Sequence, residues 1–171
     1  ESGRATVAYH SVLLFNVLDV SRVECSELKE TLPAGAHDLL RSLMEVKESL
    51  NGKRMQECYN DATYYRDQIR GLFVHGGISL RELGLAERIF WHIVSALAQQ
   101  AKQRKRLPDE LRGLDDVLAD IYYCNFSVFQ SLPDAWAIAQ LFPVMPIHRL
   151  DERPTRNATL TDITCDCDGK L

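Results

Sequence analysis

Between Pro33 and Leu132 apolar residues recur with the period of an α-helix in four successive stretches, and this repetition constrains the fold more than any other feature. Leu39, Leu43, Val46 and Leu50 are spaced 4-3-4, and Asn51-Gly52 supplies a terminator behind them. Met55, Tyr59, Ala62, Ile69 and Phe73 form a second stripe that stops at Gly76-Gly77. Ser79 with Glu82 three residues on is a capping box, and Leu83, Ala86, Phe90, Ile93 and Leu97 follow it at 3-4-3-4 spacing. Pro108 sits where a first helical turn tolerates proline, ahead of Leu111, Leu114, Leu118 and Ile121. Four amphipathic helices with short connections predict an antiparallel four-helix bundle over residues 33–132. Leu39, Leu43, Phe73, Phe90, Ile93, Leu97, Leu118 and Ile121 are expected inside it.

The flanks differ in kind. In residues 1–32 a short helix is expected after Gly3-Arg4, and Val12 to Val20 reads as a strand, apolar on both faces and so buried. From Pro133 onward, Pro143, Pro146 and Pro154 exclude a long helix and favour extended segments over Phe142–Arg149 and Ala158–Thr164. A mainly α chain with strand-forming segments on both sides of its helices has the pattern of a helical insertion into a β-containing parent.

Composition closes off several functions. With 171 residues and 46% hydrophobic content the chain can build one sizeable core. A formal charge of −4 gives no field for nucleic acid or an anionic membrane. The basic run Lys102-Gln103-Arg104-Lys105-Arg106 reads as a solvated helix C-terminus, where the macrodipole favours cations. No apolar stretch approaches the roughly 20 residues needed to span a bilayer, and the first residues show no signal-peptide pattern. Five cysteines, an odd number at scattered spacings, favour a reducing compartment such as the cytoplasm over a disulfide framework.

Chemistry is concentrated at the two ends. Glu1-Ser2-Gly3-Arg4 sets a carboxylate and a guanidinium around a glycine that lets backbone N–H groups approach an anion. Arg4 can clamp a phosphate with two hydrogen bonds; a surface turn with a salt bridge is the plainer reading of the tetrapeptide alone. At the other end stands Cys165-Asp166-Cys167-Asp168-Gly169, where Gly169 and the acidic residues predict that a strand ends in a turn. A thiol of ordinary pKa, about 8.5, can donate a proton at neutral pH, and Asp166 can meet a cationic group. Local spacing leaves two other readings open: a Cys165-x-Cys167 metal site, which lacks a second Cys/His pair, and inert loop cysteines. His75-Gly76-Gly77 lies between two amphipathic stripes and reads as helix termination rather than a phosphate loop, and His10, His92 and His148 read as structural. Because the chain opens on one such motif and closes just after the other, it is expected to be a piece of a longer protein.

Glu-x-Gly-Arg, a strand after it and Thr164-Cys165-Asp166 far downstream together resemble the pyridoxal-phosphate decarboxylases with an alanine-racemase-like barrel. Within that group the chain resembles the biosynthetic arginine decarboxylase branch, on residues Asn125 to Trp136, Gln140 to Pro146 and Asp162 to Gly169. The helical zone stands where that branch carries a helical insertion.

The resemblance implies roles residue by residue. Glu1 would pair with the cofactor's pyridine nitrogen, Gly3 and Arg4 would hold its phosphate, and Ser2 replaces the proline usual in ornithine and diaminopimelate enzymes. Cys165 would be the cysteine supplied across a dimer interface to return a proton after carbon dioxide departs, and Asp166 the acid facing the substrate guanidinium. Residues 1–32 would close the cofactor barrel and begin a β domain, residues 33–132 would be the bundle, and residues 133–171 would carry β-domain strands ending in the Cys-Asp loop. The implied enzyme converts L-arginine to agmatine in polyamine synthesis, uses pyridoxal phosphate with magnesium, and works as a homodimer or higher homo-oligomer. The Schiff-base lysine and the main phosphate loop are not among these residues, so the segment alone is expected to be inactive. Two alternatives are a non-catalytic helical assembly module and a decarboxylase of another basic amino acid.

Overall fold

The computed structural model describes residues 7, 11–23, 31–50, 54–104, 106–164 and 169–171. The chain divides into a helical unit, Val23–Leu118, and a discontinuous sheet unit made of Glu1–Arg22 and Ala119–Leu171. The expected short helix after Gly3-Arg4 and the terminator Asn51-Gly52 lie outside the described residues.

The helical unit is built on α1 (Asp38–Glu48), α2 (Met55–Val74) and α3 (Leu80–Ala101), which pack against one another pairwise. Each start and stop has a local cause. His37 caps α1: its Nδ1 accepts the Leu39 N–H at 3.2 Å. Helix α2 ends in a Schellman motif, with Gly77 N–H bonded to Leu72 O at 2.8 Å and Gly76 N–H to Phe73 O at 3.0 Å. Gly76 takes φ +73°, a conformation that a side chain disfavours, so His75-Gly76-Gly77 terminates a helix as its position foretold. The capping box opens α3: Glu82 N–H donates to Ser79 Oγ at 3.3 Å, and Ser79 N–H donates to Glu82 Oε2 at 3.0 Å. Glu82 Oε1 also accepts the His37 N–H at 3.4 Å, tying the start of α3 to the start of α1. These bonds, the Ser79 N–H foremost, hold the Glu82 carboxyl below the usual carboxylate range.

The core lies along α3, whose wide apolar face includes Leu85, Ala86, Ile89, Phe90, Ile93, Val94 and Leu97, all buried. Leu40 and Leu43 of α1 and Ala62 and Ile69 of α2 complete it. Arg66 lays its guanidinium over the Phe90 ring, 4.1 Å from the centroid, and Arg70 Nε donates to Glu87 Oε1 at 2.6 Å, joining α2 to α3. The basic run falls just past α3, with Lys102 as its C-cap and paired to Asp115 at 3.1 Å.

Three expectations about the bundle need correction. The fourth stripe is not one helix but two single turns, α4 (Asp109–Arg112) and α5 (Leu114–Val117), separated by Gly113. Leu111 and Leu114 are buried and Leu118 packs at the margin of the core. The bundle does not reach residue 132: Asp120–Cys124 is strand β2, and Ile121 lies on it, 38% exposed. Its helical spacing from Leu118 is coincidental, and Ile121-Tyr122-Tyr123 is a run of good strand formers. Phe73, expected inside, is 37% exposed, because Leu72 takes the inward place in the last turn of α2.

The sheet unit holds three strands in the order β1 (Val17–Ser21), β2, β3 (Ala158–Asp162). β1 runs antiparallel to β2, with a register irregularity between Val17 and Asp19, and β2 runs parallel to β3. The two segments flanking the helical unit therefore pair with each other. Residues 169–171 turn back along the free side of β3: Asp162 N–H bonds to Gly169 O at 3.0 Å, and Leu171 N–H to Leu160 O at 2.8 Å. Tyr122, Cys124 and Leu160 share the covered face, packed by Phe126, Val128, Leu132 and Ala135. Val128 lies on α6 (Val128–Ser131), which Ser127 caps by accepting the Gln130 N–H at 3.3 Å. Pro133 opens α7 (Pro133–Ile138), and Ala139 at φ 53° ends it.

Here too the structure departs from expectation. β1 is shorter than the predicted Val12–Val20 strand and largely exposed, with Val17 and Leu18 at 42% and 58%, and Val12 and Leu14, ahead of it, are more exposed still. An apolar sequence gives a strand the capacity for burial, but β1 is an edge strand that only β2 borders among the described residues. The segment Phe142–Arg149 joins no strand, while the prediction of an extended Ala158–Thr164 is met by β3. Arg149 takes φ 55° and pairs with Glu152.

Candidate functional site

The candidate site residues Glu1, Gly3, Arg4, Cys165 and Asp166 all lie outside the described residues, so the geometry offers no test of how they would meet pyridoxal phosphate or substrate. The described residues do define the support on which Cys165 and Asp166 are carried. β3 ends at Asp162, the chain passes through residues 163–168, and Gly169 pairs back to Asp162. The strand thus stops before Cys165 and reverses, as the acidic residues and Gly169 predict.

Asp162 is the keystone of this turn. It is 1% exposed and shares the covered face of the sheet with Leu160, two residues earlier. Its Oδ2 accepts the Val128 N–H at 2.8 Å, and its Oδ1 accepts the Thr164 hydroxyl at 3.2 Å. Gly169 lies so close that a Cβ there would overlap the Asp162 carboxylate. Glycine at 169 is therefore required by close approach rather than by turn geometry alone.

A second buried carboxylate sits at the opposite end of the sheet. Asp120 opens β2 with its side chain fully buried, and Arg156 grips it through Nε at 2.9 Å to Oδ2 and Nη2 at 2.5 Å to Oδ1. Arg22, just past β1, approaches Oδ2 at 3.4 Å. The Arg156 hydrogen bonds, aided by the charges of Arg156 and Arg22, hold the Asp120 carboxyl below its usual range against the opposing effect of burial. One carboxylate thereby joins the end of β1, the start of β2 and the approach to β3.

Neither aspartate stood out in the sequence as a site residue. Asp162 occurs there only as the first member of the Asp162–Gly169 stretch, and its partner Val128 is 34 positions away. Cys58 and Cys124 are buried free thiols, and burial pushes the Cys124 thiol up. Among the described residues no three His, Cys, Asp or Glu side chains gather as a metal ion would require, and no helix is long and apolar enough to cross a membrane.

Residues 33–115 match the arginine decarboxylase helical bundle domain. The whole chain is similar to the biosynthetic arginine decarboxylase of Bacteroides thetaiotaomicron, at 49% identity over 171 residues, and to that of Thermosynechococcus vestitus, at 46%. In each case it covers 27% of the relative, so the chain spans about a quarter of the length of these curated relatives. The solved biosynthetic arginine decarboxylase of Campylobacter jejuni superposes with a TM-score of 0.67 at 33% identity, over 91% of this chain and 24% of that one. The resemblance to biosynthetic arginine decarboxylases thus holds from one end of the chain to the other.

Proposed function

We propose that this chain is part of a pyridoxal-phosphate-dependent arginine decarboxylase that converts L-arginine and a proton to agmatine and carbon dioxide, feeding polyamine synthesis. The observation that carries the reading is near-half identity to biosynthetic arginine decarboxylases over all 171 residues. Bound pyridoxal phosphate would supply an electron-withdrawing ring that accepts the electron pair left by departing carbon dioxide. Glu1 would keep the ring nitrogen protonated, and Gly3 and Arg4 would hold the phosphate. Cys165 would return a proton to the substrate Cα, and Asp166 would pair with the guanidinium. The turn tied down between Asp162 and Gly169 supports the role of Cys165, since a proton donor works only when held within hydrogen-bonding reach. In the barrel, β-domain and dimer arrangement of such enzymes, Glu1 and Arg4 of one subunit would approach the Cys165 turn of another, in the cytoplasm.

The test is agmatine formation by the full-length protein carrying this chain, with ornithine and lysine as competing substrates. Cys165→Ala should lower kcat by about 10²- to 10⁴-fold, the usual cost of a lost proton donor. Asp166→Asn should raise KM for arginine, and Cys167→Ala should have little effect. Equal behaviour of the Cys165 and Cys167 variants would return both thiols to an inert loop, and absence of any decarboxylation would leave the helical unit as an assembly module.

A further inference from the structure

We infer that Asp162 is a positioning residue for the turn that carries Cys165 and Asp166, its buried carboxylate fixing the place from which the Cys165 thiol acts. The inference rests on the proposed role of Cys165 and adds to it a residue that never touches substrate. A carboxylate that is 1% exposed is costly unless its oxygens are bonded, and both oxygens of Asp162 are used. One takes the first backbone N–H of α6, and the other takes the hydroxyl of Thr164, the residue immediately before Cys165. Two donors converge from two sides, and the carboxylate meets both at once, each oxygen serving one of them.

The geometry also explains why the attachment is tight. Asp162 meets the outgoing arm of the turn at Thr164 through its side chain. It meets the returning arm at Gly169 through its backbone N–H, at 3.0 Å, and through the close approach that excludes a Cβ. Both arms are thereby registered on one residue, which is itself anchored to α6. Consecutive Cα atoms are about 3.8 Å apart, so any shift of Thr164 passes to Cys165 across a single peptide unit.

A double-mutant cycle in the full-length enzyme tests this, with kcat for agmatine formation measured in wild type, Asp162→Ala, Cys165→Ala and the double variant. A misplacement near 1 Å costs up to ~100-fold, so Asp162→Ala, which removes both bonds, is expected to lower kcat roughly 10- to 100-fold. In the Cys165→Ala background the same change is expected to cost less than about twofold, because the group it positions is already gone. An equal loss in both backgrounds would overturn the inference while leaving the role of Cys165 intact. Full kcat in Cys165→Ala alone would instead sink the proposed role of Cys165, and this inference with it. Should Asp162→Ala not fold, Thr164→Val carries the same cycle, since it removes one bond and leaves the carboxylate on Val128. Thr164→Val should lose roughly tenfold in kcat, and Thr164→Ser, which keeps the hydroxyl, should restore it. Loss in both Thr164 variants, or in neither, would also overturn the inference.

Discussion

Among the described residues, one apolar cluster of the helical unit runs from Ala36 to Leu114 and takes in every long helix, whereas the sheet unit buries only Cys124, Phe126 and Val128 as an apolar group. The sheet unit makes up the difference with polar attachments. Asp120 binds two arginines at one end of β2, and Asp162 gathers two neutral donors at the end of β3. Large side chains such as Val12, Leu14, Leu141 and Met145 stay exposed there. A helix bundle closes its own core because each helix hides one stripe against its neighbours. A three-stranded sheet covered on one face cannot, so its register depends on a few specific groups.

Replacing Phe90 with Ala should produce the largest effect. Its ring is 2% exposed, packs edge-on to Trp91 at 5.1 Å between centroids and lies under Arg66, so the loss should be about 3–5 kcal/mol. Urea unfolding followed by circular dichroism would measure it. A loss below about 1 kcal/mol would mean that the bundle does not depend on one core, and the contrast between the units would collapse.

The Asp120→Asn variant probes the other side of the comparison, with an expected cost of about 1–3 kcal/mol from weakened charge-assisted bonds. Arg156 and Arg22 are each about half exposed and can rehydrate, which keeps the figure below that of a fully buried pair. The sign of the pH dependence follows from the lowered carboxyl. Its contribution is fully present above the unfolded aspartate value of about 3.9, and is lost as pH falls through the lower folded value. Protection of the β2 amides, measured as exchange relative to the intrinsic rate at each pH, should therefore fall under acid in the parent protein, and this acid response should shrink in Asp120→Asn. An unchanged response would show that another group ties the strands together.

Smaller effects belong to the helix ends. Gly76→Ala forces a side chain into the left-handed region and should cost about 1–2 kcal/mol. Ser79→Ala removes the side-chain half of the capping box and should cost about 1 kcal/mol, releasing the Glu82 carboxyl only in part, because the backbone N–H at 79 still donates to it. Both are readable as shifts in the urea midpoint at constant slope. A larger loss from either than from Phe90→Ala would mean that local caps, not the core, dominate the helical unit.

The sequence by itself determined the three long helices, the stop of α2 at Gly76-Gly77, the capping box of α3 and the reversal of the chain after β3. It could do so because those features depend on residues three to seven positions apart: Ser79 with Glu82, Gly77 with Leu72, Asp162 with Gly169. Family resemblance, carried by contiguous stretches such as Asp162–Gly169, was legible for the same reason. The candidate site was legible as residue types at the two ends, but not as an arrangement. Only the tertiary structure decided that Ile121 belongs to a strand, that β1 pairs with β2 across the whole helical unit, and that β1 leaves its apolar side chains exposed. It also singled out Asp120 and Asp162, whose partners lie 36 and 34 positions away. Pairing and burial over such distances depend on which surfaces meet after the chain has closed large loops, and no local spacing records that outcome.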